Sequence, residues 1–288
     1  QGMQRNFTTR PVLIDTGYSG GFGDTEKLIG ALGADTADVG LIINTHCHCD
    51  HTGGNRIIQD RSGCEVALHP LGRYFMETRD GWSTWWRYYQ QEVDFFRCGT
   101  SLADGALIDI GPHVFQIIHT PGHSADGLAL YNAKEKALIS GDALWELDVP
   151  VMTVRIEGSA AVHHAEASLQ KLALLDVEIV YPGHGKPFAD FRGALERSRD
   201  KISAYLSDRT RIGTDLIKKI IVFTLLMKGR VPENHFFGLL MDTHWYRETV
   251  DLYFDASYEE TYDEIITPFL RRGVVKCENG MLFTGVQP

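Results

Sequence analysis

No apolar run in this chain reaches the about 18 residues that a membrane-spanning helix requires. Its longest candidate, "LIKKIIVFTLLMKG" from Leu216 to Gly229, is broken by lysines and reads as an amphipathic or buried helix. A charged-then-apolar leader is missing too, and Gln1 and Gly2 ahead of Met3 read as the remnant of a cleaved tag. Basic stripes are absent, which argues against nucleic acid as the partner. The net charge of -10 is uneven: residues 1–185 hold 13 Lys+Arg against 23 Asp+Glu, whereas residues 186–288 hold 15 of each. Cysteines are few and scattered, at 47, 49, 64, 98 and 277, an odd number without answering pairs. That excludes a disulfide scaffold and points to a reducing, cytoplasmic setting. Repeats and low-complexity tracts are missing as well.

What is present alternates. "RPVLIDTG" and "VGLIINT" read as buried strands running into loops, and "DTEKLIGALGA" as a helix with Asp24 as cap and Gly33 as end. "GGNRIIQDRSG" predicts a further helix and "CEVALHP" a further strand. "GLALYNAKEKALISGD" predicts a hairpin, followed by the helix "SAAVHHAEASLQKLALLD" and the strand "VEIVYP". This is an α/β pattern over residues 3–190, with its unusual residues where strands end. From residue 191 to 288 the texture is helix after helix, closed by two short strands around Glu278-Asn279-Gly280. A helix followed by such a hairpin resembles the end of a winged-helix unit. Residues 73–99 form an aromatic insertion that reads as a helical flap. Its residues Trp82, Trp85, Trp86 and Tyr89 are candidates for a substrate-pocket wall or a contact between two copies of the chain.

Twelve histidines are many for this length. The stretch "NTHCHCDHTGGN" places His46, Cys47, His48, Cys49, Asp50 and His51 in consecutive positions. In an extended segment side chains alternate faces, so His46 and His48 point one way and the two cysteines the other. The turn into the next helix breaks the alternation and lets Asp50 and His51 swing together toward a second position. Thiolate ligation normally pairs one Cys-x2-Cys with another, so Cys47 and Cys49 are expected to pack as small apolar groups behind the site. Three further turns each hold a ligand type at a strand end: His123 in "HTPGHSADG", Asp142 in "ISGDALW" and His184 in "VYPGHGKP". His163 and His164 read as helix-surface residues, His69 and His119 as packing residues, and His113, His235 and His244 fit no pattern.

This set, in this order over residues 12 to about 190, resembles the ligand set of the metallo-β-lactamase-fold hydrolases. The flanking "DTG", "GGN", "TPGHS" and "PGHG" agree with it. The resemblance implies a four-layer αββα sandwich carrying two divalent ions, zinc first, with iron or manganese as alternatives. His46, His48 and His123 would hold the first ion, and Asp50, His51 and His184 the second. Asp142 would bridge both, and Asp15 would sit behind the ligands and orient them. Asp142, and Asp50 as a participant in proton transfer, are the candidate catalytic residues.

Two such ions activate a bridging water and polarise the oxygen of the bond to be cut, so a nucleophilic Ser or Cys is unnecessary. Superfamily members that open β-lactams typically lack the bridging aspartate, which sets Asp142 against a true β-lactamase. The basic residues that a glyoxalase II uses for glutathione find no match in "RSRDKISAYLSDRTRIG". The expected activity is therefore hydrolysis of an ester, lactone or thioester of a small apolar substrate. A phosphodiesterase or ribonuclease of the same superfamily is the alternative. A mononuclear iron persulfide oxygenase and a non-catalytic metal-binding protein are the readings from other classes.

Overall fold

A computed structural model describes residues 10–286; Gln1 and Gly2, read as a tag remnant, lie outside them. Packing divides the chain into two compact units. The first comprises the described residues to Arg87 together with Gln91–Ser203, and the second Tyr88–Gln90 together with the described residues from Ala204. The boundary expected at 190/191 is the start of one helix, and the packing changes only within that helix.

In the first unit, β1 (Val12–Ile14), β2 (Leu41–Ile43), β3 (Glu65–Leu68) and β4 (Thr100–Ser101) form a wholly parallel sheet in that order. Leu41, Ile42 and Ile43 are all fully buried. Burial on both faces is why "GLIIN" is continuously apolar rather than alternating. Successive side chains still face opposite ways. Ile42, Val66 and Leu68 pack with Phe22 and Ile29 of α1 (Phe22–Ala31), beyond which lies the one-turn α2 (Cys49–Thr52), and with Ile58 of α3 (Asn55–Ser62) and Met76 of α4 (Pro70–Thr78). Leu41, Ile43 and Ala67 face the other way.

That opposite face meets Ile108, Ile117, Leu128 and Leu130 of a second sheet. Its strands are β5 (Leu107–Ile110), β6 (His113–His119), β7 (Leu128–Asn132), β8 (Ala137–Gly141) and β9 (Ile179–Pro182), in sequence order. All pair antiparallel except β8 with β9. After α5 (Val154–Glu157), α6 (Ala161–Leu172) buries Ala165, Leu169 and Leu172, and its Ser168 hydroxyl donates to the Pro121 carbonyl. The first part of α7 (Phe191–Ser207) buries Phe191, Leu195 and Ile202 beside it. Helices, sheet, sheet and helices follow in the expected layers.

Two local expectations are corrected. Gly21, not Asp24, caps α1; Asp24 lies in the first turn and pairs with Lys27 at 2.7 Å. The flap over 73–99 is helical only to Thr78, where Arg79 turns left-handed. Beyond it the Asp80 carboxylate accepts from the Trp82 and Ser83 amides and the Ser83 hydroxyl, which ties a tight turn in place of a helix.

The second unit carries α8 (Thr210–Lys228), β10 (Val231–Pro232), α9 (Glu233–Met241), α10 (His244–Tyr253), α11 (Tyr258–Arg272), β11 (Val275–Glu278) and β12 (Met281–Thr284). The three strands pair antiparallel in the order β10-β12-β11. Asn279 and Gly280 both take positive φ, 53° and 71°, as a two-residue primed hairpin turn demands. Trp245, Tyr246, Phe236 and Leu282 are buried at its centre. Helix, short strand, helices and hairpin follow one another in this unit.

Candidate metal centre

Five strand ends build the site. In the first sheet β1 and β2 run parallel, delivering Asp15 and the Asn44–His46 segment to one edge. In the second, β6 is antiparallel to β7 and β7 to β8, so β6 runs with β8 and β9. The loops after these three strands carry His123, Asp142 and His184. Residues 75 positions apart in sequence therefore meet: the His48 and His123 rings lie 4.6 Å apart, centroid to centroid.

The structure brings all seven expected ligands together. Three groups have ligand atoms within 4.8 Å of one another: His46, His48 and His123; His46, His51 and Asp142; and Asp50, His51 and His184. His48 Nδ1 lies 3.0 Å from His123 Nε2, and Asp50 Oδ2 3.4 Å from His184 Nε2. Asp142 Oδ2 lies 3.3 Å from His123 Nε2, 3.5 Å from His184 Nε2 and 3.6 Å from His51 Nε2. Two donors bound at about 2.1 Å to one tetrahedral ion are separated by about 3.4 Å, so the spacing fits shared ions. The donor chemistry fits as well. Among the described residues, His46 Nε2, His51 Nε2 and Asp50 Oδ1 are buried without a hydrogen-bond partner, a costly state unless something else satisfies them.

Electrostatics divides the cluster. Burial, with neighbouring imidazoles, holds His46 and His48 well below the usual histidine range, and burial holds His123 below it. These rings are neutral, as ligation requires. Around Asp142 the balance reverses. Burial opposes charge on His51 and His184, yet Asp142 with Asp50, joined at His51 by Asp15, outweighs it and raises both. Burial likewise opposes charge on Asp142, and the imidazoles, His184 foremost, hold it well below the usual carboxylate range. His184 is 42% exposed, so solvent screens its share of this coupling. Such mutual stabilisation is what a cation between these groups would replace.

The supports behind the ligands are explicit. Asp15 sits at φ 58°, a left-handed conformation that Asp tolerates better than most residues. Its carboxylate accepts from the Thr45 amide at 2.8 Å, the Thr45 hydroxyl at 2.7 Å and His51 Nδ1 at 2.8 Å. Thr45 Oγ1 is 3.0 Å from His46 Nδ1, and His123 Nδ1 lies 2.8 Å from the Val151 carbonyl. Each contact leaves Nε2 of its ring for the centre. Gly183 is required by space: a Cβ there would come within 2.2 Å of Asp142 Oδ1 and 2.9 Å of His51 Cε1.

Cys47 and Cys49 are fully buried and turned away from the imidazoles. They do more than fill space, since Cys47 Sγ faces the Ser83 carbonyl at 3.6 Å and Cys49 Sγ the Thr84 carbonyl at 2.7 Å. The thiols thus tie the aromatic insertion to the motif. Of the four candidate wall residues, Trp85 meets a ligand. Its ring stacks on His48 with centroids 3.7 Å apart and 20° between planes. Trp82 and Trp86 are 41% and 40% exposed. Tyr89 belongs to the second unit, where it packs 6.2 Å from Trp245. His69 and His119 stack on each other at 4.1 Å, a packing role as expected.

Two neighbours of the site were not foreseen. Trp145 Nε1 donates to Asp142 Oδ1 at 3.1 Å. Glu157 Oε1 approaches His48 Nε2 at 3.9 Å, with burial and then Asp126 pushing its carboxyl up to about 8. Trp145 stands three residues after Asp142 in the quoted "ISGDALW", but no spacing rule marks it. Glu157 carries no sequence signal, because only the turn of α5 buries it.

A family model for the metallo-beta-lactamase superfamily matches residues 7–184, more than half of the chain. The chain belongs to the metallo-beta-lactamase superfamily. It is similar to an atrochrysone carboxyl ACP thioesterase of Aspergillus fumigatus, 27% identical over 66% of this chain and 52% of that protein. It is also similar to a hydroxyacylglutathione hydrolase of Rhizobium etli, 29% identical over 54% of this chain and 51% of that protein. The chain spans less than two thirds of the length of the curated relatives it matches first. Among solved structures, a metallo-beta-lactamase family protein from Thermus thermophilus superposes with a TM-score of 0.59. Its sequence is 22% identical, with 94% of this chain and 89% of that one covered; it shares the superfamily fold. Among the described residues no helix is long and apolar enough to cross a membrane.

Proposed function

We propose that this protein is a metal-dependent hydrolase using two divalent ions, zinc first, to cleave an ester, lactone or thioester of a small apolar substrate. One observation carries the reading: a single oxygen, Asp142 Oδ2, lies within 3.6 Å of His123, His51 and His184. That oxygen belongs to both halves of the cluster, which is what a bridging carboxylate does. Bound ions would activate a water molecule and polarise the oxygen of the bond to be cut.

The chain's own residues do the rest. His46, His48 and His123 are kept neutral by burial, and Asp142 and Asp50 stay ionised against it. Asp15 holds the His51 ring by its Nδ1. Asp50, between His51 and His184, is placed to take a proton from the reacting group. Trp85, flat on His48, gives one wall of the site an aromatic face suited to an apolar acyl group. The bridging aspartate speaks against β-lactams, and the names of the two relatives, a thioesterase and an acylglutathione hydrolase, support acyl substrates.

The test is hydrolysis of chromogenic thioesters and lactones beside a phosphodiester of equal reporter strength by the zinc-reconstituted protein. Acyl hydrolysis should dominate, vanish with chelator, and fall by at least about 100-fold in Asp142→Asn. A dominant phosphodiesterase activity would overturn the acyl reading, and activity untouched by Asp142→Asn would overturn the bridging role.

A further inference from the structure

The Asp142 carboxylate has two oxygens, and the reading above uses one. Oδ2 faces His123, His184 and His51. Oδ1 accepts the Trp145 indole N–H at 3.1 Å. A buried carboxylate can rotate about its Cβ–Cγ bond and exchange its oxygens. One directed donor removes that freedom, because turning the group would leave the indole N–H without its acceptor. Gly183 closes against the same Oδ1, so there is little room on that side for any donor other than one aimed along the bond. The same indole lies beside the most exposed ligand: the Trp145 and His184 rings meet edge to face, centroids 5.2 Å apart and planes at 73°. One side chain therefore touches the carboxylate shared by both halves and one ligand of the second half. In the first half, His48 has a different indole against it, that of Trp85.

We propose that Trp145 is a positioning residue for the second metal. Its N–H sets which Asp142 oxygen bridges, and its ring edge limits how far His184 can swing. The inference rests on the dinuclear reading above. It separates the two halves: Trp145 governs the second ion, while the first depends on the three buried imidazoles.

Trp145→Phe keeps an aromatic ring at this position and deletes the donor, together with the five-membered part of the indole. The metal-free protein is titrated with cobalt(II), with calorimetry giving affinities and visible absorption giving the ligand field of each equivalent. Wild type is expected to take two equivalents. In Trp145→Phe the first is expected to bind as in wild type, and the second about 10- to 100-fold more weakly with an altered absorption band. Identical affinities and spectra in the two proteins would overturn the role of Trp145 and leave the dinuclear reading standing. Wild type that takes a single equivalent would overturn the dinuclear reading, and this inference with it. Loss of both equivalents in Trp145→Phe would make Trp145 a general structural residue, against the proposal. A measurement on wild type stands apart from the variant's folding. The second equivalent of cobalt(II) is expected to quench indole emission through Trp145, and a second equivalent without further quenching counts against its placement.

Discussion

Asp15 shows how much one residue can organise. Its left-handed backbone ends β1 and turns the carboxylate back across the start of the motif, where Thr45 and His51 donate to it. A residue without a carboxylate there would lose three hydrogen bonds and keep the backbone strain. The two cysteines make the opposite point. Set within a row of ligands, they face backbone carbonyls of the insertion, and Cys47 sits in the apolar cluster behind the site. Burial also raises both thiols well above their usual range, so neither is poised as a thiolate. The double variant Cys47→Ala/Cys49→Ala should keep the full metal content of wild type by elemental analysis while losing about 1–3 kcal/mol of stability from lost packing. A missing equivalent of metal would make one of them a ligand.

At the scale of elements, the short α2 decides how the motif reads. His48 is still extended, at ψ 151°, and α2 begins at Cys49. The period-two alternation thus holds through His46 and His48 and fails at Asp50 and His51, which is why four ligands from one segment can serve two positions. The insertion is the other decisive element. Asp80 replaces helix with a tied turn, and Trp85 takes φ 67°, a conformation costly for a bulky side chain. The cost is offset by 4% exposure and the stack on His48. In Trp85→Ala, KM for long or ring-bearing acyl substrates should rise several-fold, with little change for an acetyl ester. Equal effects on both would assign Trp85 to folding instead of substrate choice.

For the whole molecule, the first unit carries most of the acidic excess, and some of its carboxyls lie deep. Asp126 is buried with its carboxyl pushed up to about 6, and Glu157 up to about 8. Burial is the principal cause for both. Each folded-state value lies above the unfolded one, so the neutral form is favoured by folding. This contribution is complete below about pH 4 and is lost as pH rises to about 8, when the folded protein must bury a charge that the unfolded chain exposes to water. The urea midpoint of the metal-free protein should therefore fall between about pH 4 and 8, and fall less in Glu157→Gln. Parallel pH profiles for the two proteins would show that Glu157 keeps an ordinary carboxyl.

The clustered His and Asp residues and the strands that carry them were legible from local signals, and the order of the layers came with the family resemblance those residues carry. Apolar runs ending in Asp-Thr-Gly, Pro-Gly-His or Gly-Asp are local signals, and turn chemistry acts over a few residues. The hairpin at Asn279-Gly280 was legible for the same reason, since positive φ is a property of those two residues. Tertiary structure alone decided the rest. It set Trp85 against His48 and left Trp82 and Trp86 half exposed, since all three share one sequence signal and differ only in what they pack against. It placed Trp145 on the free oxygen of Asp142 and Glu157 behind His48, contacts that no periodicity records. It also turned the insertion from helix to loop, because a carboxylate at Asp80 captures amides that a helix would have used. Backbone preferences are encoded locally and can be read one segment at a time; which side chain completes a buried carboxylate or imidazole depends on distances that exist only once the two sheets have packed.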